Sequence, residues 1–264
     1  MQPAIKSVKY FSCGYCTNNL GRVFKGMRGE KRKFPAGAFL IEHAKHGLIL
    51  FDTGYSANIC KTGFVGRAYN FFNPTLVEEN DELKYQLSKI GTRPEDIKTI
   101  ILSHLHPDHI GGLRSFGKAN FIVSKETINT YKNRRIRDLI MQRFFPADFE
   151  DRANVISDKM MVTEVLGALK GYDLFNDGSL ILLKLGGHAS GQLGTLIDNK
   201  ILLAADSCWG NDLIDLSYHM KFPASLIQDN MREYRNTLDN LKLLKKKGIN
   251  LVFSHDVNNK KELL

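Results

Sequence analysis

Four side chains that can bind a metal ion lie within six positions of the chain, directly after an apolar run. They are His104, His106, Asp108 and His109, and the run is Thr99-Ile100-Ile101-Leu102. This run is short, β-branched and bounded by polar residues, which predicts a buried strand. Residues two apart on extended chain point to the same side, so the first two imidazoles can face one point. The other two side chains follow at the bend and can face a second point nearby.

The side-chain types in this cluster predict a dinuclear metal site. Imidazole and carboxylate groups suit zinc, iron and manganese, whereas a thiolate-rich structural zinc site would contain cysteine. Two metal ions about 3.5–4 Å apart can share a hydroxide and hold the attacking oxygen and the substrate oxygen. The alternative interpretation is a loop that is merely rich in histidine.

Three more residues of metal-binding types occur further along the chain, each at the end of an apolar, strand-like run. They are His188, Asp206 and His255, so that five of the eight histidines fit one site. When strands from distant parts of a sequence end at one edge of a sheet, the residues that follow them come together. The repeated pattern of apolar strand and terminal ligand therefore predicts a single active site at a sheet edge.

The motif His104-x-His106-x-Asp108-His109, followed in order by His188, Asp206 and His255, resembles the metallo-β-lactamase superfamily over nearly the whole chain. The turn Phe51-Asp52-Thr53-Gly54 matches a turn of that family. The spacing is most similar to the N-acyl-homoserine lactone lactonase branch. The resemblance implies a four-layer αββα sandwich of two sheets with helices outside. The elements alone predict an α+β or mixed α/β protein. We expect a single domain over residues 1–264, because no Pro-, Gly- or Ser-rich linker divides the chain.

The resemblance also implies how the ligands are shared between two divalent ions, most simply Zn²⁺, with iron or manganese as alternatives. The expected ligands are His104, His106 and His188 for one ion, Asp108, His109 and His255 for the other, and Asp206 as the bridge. A hydroxide held by both ions would then attack an ester or lactone carbonyl of a small molecule. Asp108 would also act as a catalytic acid or base that guides a proton to the leaving oxygen. Asp52 is expected to orient a ligand rather than bind metal.

Trp209 departs from the pattern of the lactonase branch, which commonly has a tyrosine three residues after the bridging aspartate. An indole can donate one hydrogen bond but cannot act as a phenolic acid. We therefore expect Trp209 in the wall of the substrate pocket, where it either stacks on the substrate or simply packs. This departure leaves the identity of the substrate open while metal-dependent hydrolysis is retained.

Composition limits the partners that we expect. The net charge is +9, but lysine and arginine are spread along the chain, so a solvated basic surface is expected rather than a nucleic-acid site. No run approaches the 18 or more apolar residues of a membrane span, and the beginning of the chain lacks the apolar core of a signal peptide. We expect a cytoplasmic protein without a membrane partner that acts on a small molecule. A homodimer is an open alternative.

Two other function classes stay open at this level. One is hydrolysis of a thioester or of a phosphodiester in nucleic acid, and the other is a non-catalytic, metal-containing binding or regulatory protein. Cys13-Gly14-Tyr15-Cys16 has the spacing of a redox or half-zinc motif, but it is also compatible with a plain loop.

Helical spacing predicts helices near residues 74–90 and over 224–246, and Ser124 is a good N-cap for a further helix. The segment over 55–73 is expected to be flexible. Aromatic and Met residues in 131–160 are either core or part of the substrate pocket. His43 and His46 are expected at the surface of a turn.

Overall fold

The computed structural model describes residues 3–59, 63–166 and 169–264. Its α-helices are α1 Leu20–Val23, α2 Phe64–Phe72, α3 Leu83–Ser88, α4 Pro107–Ile110, α5 Lys125–Lys132, α6 Ile214–Ser217 and α7 Met231–Lys246. Its strands are β1 Ile5–Asn19, β2 Lys31–His43, β3 Gly47–Phe51, β4 Thr75–Leu76, β5 Ile97–Ile101, β6 Asn120–Ser124, β7 Ala153–Ile156, β8 Thr163–Leu166, β9 Leu169–Asp173, β10 Leu180–Lys184, β11 Leu193–Ile197, β12 Ile201–Leu203 and β13 Asn250–Val252.

The strands form two mixed sheets. The first has the order β4-β1-β2-β3-β5-β6-β7 and the second β13-β12-β11-β10-β9-β8. Strands β3, β5, β6 and β7 run parallel to one another, and β12 runs parallel to β13. The remaining pairings are antiparallel. Parallel neighbours place their carboxyl ends at the same edge of a sheet, so the segments that follow these strands meet there.

Alternating side chains divide the core into three layers. On β10, Leu180 and Leu182 face the core between the two sheets, whereas Ile181 and Leu183 face the core beneath α7. On β3, Leu50 points instead to the core that α3 and α5 cover. Successive residues of a strand face opposite sides of its sheet, and here both sides are buried. The arrangement is the predicted αββα sandwich.

Two predicted helices differ from those in the structure. In place of one helix over 74–90, the chain forms the short strand β4, a 3-10 turn and the six-residue helix α3. The helix predicted over 224–246 begins only at Met231, because the Asn230 side chain accepts hydrogen bonds from the first backbone N–H groups of α7. By contrast, Ser124 caps α5 as predicted, and its hydroxyl accepts a hydrogen bond from Thr127 N.

The expectation that His43 lies at the surface is wrong, whereas His46 is exposed. The His43 side chain is buried, and its Nδ1 accepts hydrogen bonds from the backbone N–H groups of Lys45 and His46. Its Nε2–H donates to Ser179 Oγ at 3.0 Å. Neither ring nitrogen is left for a metal ion, although Asp177 also lies close by. This histidine therefore ties the β2–β3 turn to the start of β10.

Other parts of the chain complete the comparison with the sequence. The described part of the segment over 55–73 contains helix α2. Tyr131, Met141, Phe144 and Phe145 pack in the core, which decides between the two interpretations of these residues. Every helix within the described ranges is too short or too polar to cross a membrane.

Candidate metal centre

All seven predicted ligands lie at one edge of the sandwich, in the segments that follow strands. His104 and His106 follow β5, and His109 lies on α4 just after them. The remaining residues follow strands of the second sheet, with His188 after β10, Asp206 after β12 and His255 after β13. The structure separates the seven into the predicted groups, one of three histidines and one that contains Asp108, His109, Asp206 and His255.

Three imidazole nitrogens converge in the first group. His106 Nδ1 lies 3.0 Å from His104 Nε2 and 3.0 Å from His188 Nε2. The Nδ1–H groups of His104 and His188 donate elsewhere, to Ser103 Oγ and to Gln228 Oε1, so both Nε2 atoms present lone pairs. At most one proton, on His106, can lie among the three nitrogens. At least one lone pair is therefore left without a donor, which a bound cation would satisfy.

The second group is held together by carboxylate oxygens. Asp206 Oδ1 lies 3.2 Å from His109 Nε2, and Asp206 Oδ2 lies 2.9 Å from His255 Nε2. The same Oδ2 is 3.3 Å from His188 Nε2, so Asp206 reaches both groups. Asp108 Oδ2 contributes at 3.4 Å from His255 Nε2. His109 Nε2 and Asp206 Oδ1 are buried without a hydrogen-bond partner among the described residues, as expected of atoms placed to bind a cation.

Acceptors behind the histidines fix which ring nitrogen faces the centre. His255 Nδ1–H donates to the carbonyl of Pro35 at 2.6 Å, and His188 Nδ1–H donates to Gln228 Oε1 at 2.9 Å. Both acceptors were missed by the sequence reasoning, since they lie 220 and 40 residues from their histidines and carry no motif. Such contacts hold the ring and make its other nitrogen a better ligand.

Asp52 performs this function for His109, as predicted, and stays outside both ligand groups. Its Oδ2 accepts hydrogen bonds from His109 Nδ1 and from Ser103 Oγ, each at 2.7 Å, while Oδ1 accepts from Ser103 N at 2.8 Å. The residue has φ of 60°, in the left-handed region that Asp tolerates. One carboxylate therefore orients ligands on the loop after β5 and on α4.

Gly111 permits a close approach between two backbone segments. Its φ is −56°, an ordinary helical value. A Cβ at this position would lie 2.3 Å from Ser56 N and 2.6 Å from Gly54 O. Gly111 N also donates to Gly54 O at 2.8 Å. The α4 loop is thus packed directly against the backbone of the loop that carries Asp52.

The electrostatic environment separates the two groups. Burial lowers the pKa of His106 and of His188 to about 4 and lowers the pKa of His104 well below its usual value. These imidazoles are therefore neutral at pH 7, as metal ligands must be. Burial also acts to lower the pKa of His109, but the nearby carboxylates, led by Asp206 and Asp52, outweigh it and raise this pKa well above the usual value. A cation bound by the second group would take the place of the proton on His109 and would be stabilised by the same carboxylates.

Two cavities open onto the centre. The first, of about 570 Å³, is bordered by the three-histidine group together with Thr127, Thr130, Arg135, Arg137, Asp138 and Ile140. The second, of about 450 Å³, is bordered by Asp108, Asp206 and His255 on one side. Trp209 lies in its wall.

The two cysteines of the Cys-x-x-Cys motif do not form a pair. Cys13 packs in the core beneath α3, whereas Cys16 belongs to the core on the second-sheet side and borders the second cavity. Both are free thiols, and burial raises the pKa of Cys16 to about 12. A thiol that stays protonated at neutral pH is a poor nucleophile, so neither redox chemistry nor metal binding by this motif is supported. Cys60 lies outside the described residues.

Comparison with known proteins identifies the family. The model of the metallo-beta-lactamase superfamily matches residues 33–249. The N-acyl homoserine lactonase AiiB of Agrobacterium fabrum is 27% identical over 189 residues, which are 66% of this chain and 63% of that protein. This chain thus aligns with less than two thirds of that relative's length.

Two solved lactonase structures share the fold. A Bacillus thuringiensis AiiA variant with bound N-decanoyl-L-homoserine has a TM-score of 0.72 at 20% identity and covers 96% of this chain and 94% of its own. The dizinc quorum-quenching lactonase AidC has a TM-score of 0.69 at 17% identity and covers 98% of this chain and 92% of its own. With the family match, the paired ligand groups and the αββα sandwich, the chain belongs to the metallo-β-lactamase superfamily.

Proposed function

We propose that this protein is a metal-dependent hydrolase that cleaves the ester or lactone bond of a small molecule. The observation that carries the proposal is the pair of buried ligand groups, joined by Asp206, which border two cavities. The similarity to proteins named N-acyl homoserine lactonases supports the same class of reaction. The spacing of the ligands alone would also suit a thioester or a phosphodiester.

In this proposal two divalent ions are the cofactors. One would be held by His104, His106 and His188 and the other by Asp108, His109 and His255, with Asp206 as the ligand that they would share. Zn²⁺ is the first choice because neutral imidazoles and carboxylates suit it, and iron and manganese are the alternatives. Bound in this way, such ions polarise a carbonyl group and lower the pKa of water.

The side chains of the chain itself position the reaction. Asp52, Gln228 and the Pro35 carbonyl hold the imidazoles in one orientation, so little reorganisation is needed when substrate binds. Asp108 is the proposed acid or base, since it borders the second cavity and only one of its oxygens contacts the histidines, at 3.4 and 3.7 Å. It is thus placed to pass a proton to the leaving oxygen. A small molecule is the proposed partner. The cytoplasmic location and the formation of a homodimer stay predictions.

Elemental analysis and a substrate panel test the proposal together. Protein purified without chelator should contain two metal ions per chain and hydrolyse lactones or aryl esters faster than thioesters or a bis-aryl phosphodiester. His106→Ala and Asp206→Ala should lose metal and activity together. His46→Ala is the matched control, because it removes an exposed histidine outside both ligand groups. Full turnover by either ligand variant would contradict the site assignment, and turnover of the phosphodiester alone would contradict the substrate class.

A further inference from the structure

One wall of the second cavity is aromatic and held in place by its own packing. Trp209 makes edge contacts with Phe24 and Phe34, with ring centroids 6.0 and 5.8 Å apart. Phe34 in turn packs edge-on against the His255 ring at 6.4 Å. Phe24 is fully buried and Phe34 nearly so, which leaves the indole no space to move away from the cavity. The wall is thus continuous from the metal centre to Trp209.

Trp209 presents an unused donor as well as a ring. The indole is 9% exposed and borders the cavity, and its N–H donates to no acceptor among the described residues. This N–H is not fully buried, so it is accessible to solvent. Because indole does not titrate in the ordinary pH range, a hydrogen bond from it to a substrate oxygen would not depend on pH.

The remainder of the cavity is neutral away from the ligand groups. The Cys16 thiol is protonated, and the Asn18 and Asn73 amides bond to each other at 3.2 Å. The Tyr69 hydroxyl is engaged with the Tyr55 hydroxyl at 2.8 Å. No lysine, arginine or further carboxylate among the described residues borders this cavity. An uncharged group therefore fits here better than a charged one.

We propose that Trp209 and Phe34 form a wall that selects substrates with a flat ring beside the ester or lactone oxygen. Aromatic pairs gain edge or stacking contacts that an alkyl chain of equal area lacks. The inference rests on the proposed function for its reaction, but the binding of the ring can be measured separately.

Trp209 is the single tryptophan of the chain, so its fluorescence reports on this wall directly. Excited at 295 nm, wild-type protein, both loaded with Zn²⁺ and stripped of metal, should show a saturable change with the uncharged amide 3-(2-hydroxyphenyl)propanamide. The alkyl amide 5-hydroxynonanamide, with the same number of carbons, should cause little change. Equal responses to the two amides, or none to either, would overturn the inference.

Kinetics provide the second test. Dihydrocoumarin and δ-nonalactone have the same lactone ring size and carbon count but differ in the flat ring. Trp209→Leu should raise KM for dihydrocoumarin roughly 3–10-fold and leave KM for δ-nonalactone within about 2-fold, whereas Trp209→Phe should keep most of the difference. Phe222→Leu is the matched control, because this exposed aromatic residue borders neither cavity.

The two proposals fail in different ways. If lactones are hydrolysed and Trp209→Leu changes both KM values equally, the aromatic selection is wrong and the hydrolase proposal stands. If neither lactone is hydrolysed while the aryl amide still saturates the fluorescence change, the wall is supported and the ester or lactone reaction is wrong.

Discussion

Asp52→Asn is the substitution that most directly tests how the centre is held together. Asparagine is chosen because Asp52 has φ of 60°, and Asn adopts this region more readily than Ala, for which the strain costs about 1–2 kcal/mol. The backbone should therefore stay as it is. The change removes the negative charge and replaces one acceptor oxygen by an N–H₂ group.

The magnitude follows from the three hydrogen bonds that Asp52 accepts. Its two oxygens face three donors, which are Ser103 N, Ser103 Oγ and His109 Nδ1, at 2.8, 2.7 and 2.7 Å. In either orientation the amide nitrogen of Asn would face at least one of these donors. Losing a charged acceptor costs about 1.5–3 kcal/mol of the free energy of unfolding. Loosening the His109 ring should weaken metal binding in its group about 10–100-fold, or about 1.4–2.8 kcal/mol.

The assay is a competition between metal-free protein and a chromogenic chelator for Zn²⁺, with thermal unfolding measured in parallel. Wild-type protein should bind two ions, and Asp52→Asn should weaken the binding step of the group that contains His109. The group of His104, His106 and His188 should change much less, because Asp52 reaches it only through Ser103.

Asp173→Asn is the matched control. Asp173 also accepts two backbone hydrogen bonds, from Phe175 N and Gly178 N, but it lies at the opposite end of β10 from His188. This variant should lose stability without losing metal affinity. If Asp52→Asn binds both ions as tightly as wild type, or if Asp173→Asn weakens binding equally, the orienting function assigned to Asp52 is wrong.

Three further predictions concern parts of the fold outside the ligands. Gly111→Ala should destabilise the protein by about 1–3 kcal/mol in denaturant unfolding, because its Cβ meets backbone atoms, whereas Gly117→Ala, with no atom within 4 Å of its Cβ, should be near neutral. Equal effects would contradict the packing argument. Burial and the neighbouring His46 lower the pKa of His43, so the unfolded chain binds more protons below about pH 6.5 and stability falls with falling pH. His43→Gln should flatten the dependence of Tm on pH between 7.5 and 5.5, and an unchanged slope would exclude this contribution. Three buried free thiols should react slowly with Ellman's reagent at pH 8 in folded protein, namely those of Cys13, Cys16 and Cys208. Rapid labelling of any of the three would contradict their burial.

The ligand set could be predicted because each member follows a strand-like apolar run. The metal-binding residue types are few, and their order along the chain matches one family, so the pattern remains recognisable despite about 80 residues between His109 and His188. Burial on both faces makes the strands nearly continuous apolar runs, which is also why the strand predicted at residues 99–102 lies close to the observed β5.

Local signals were less reliable where tertiary contacts compete with them. Residues 74–90 have helical spacing, yet Thr75 and Leu76 pair with Cys16 and Tyr15 of β1, which interrupts any helix there. The burial of His43 could not be predicted, because its partners are two backbone N–H groups and a serine 136 residues away, none of which a sequence motif reveals. Propensity is a weak guide wherever such contacts are available.

The sequence by itself predicted the family, seven candidate ligand positions that the fold brings together, and the orienting contact of Asp52, because metal-binding residue types and short spacings can be recognised directly. Only the tertiary structure decided which nitrogen of each histidine faces the centre, since that depends on acceptors such as Pro35 O and Gln228 Oε1 from remote segments. It also decided that Trp209 borders a cavity whose lining is uncharged away from the ligand groups. Walls and acceptors come from backbone and side chains that carry no motif, and packing alone brings them together.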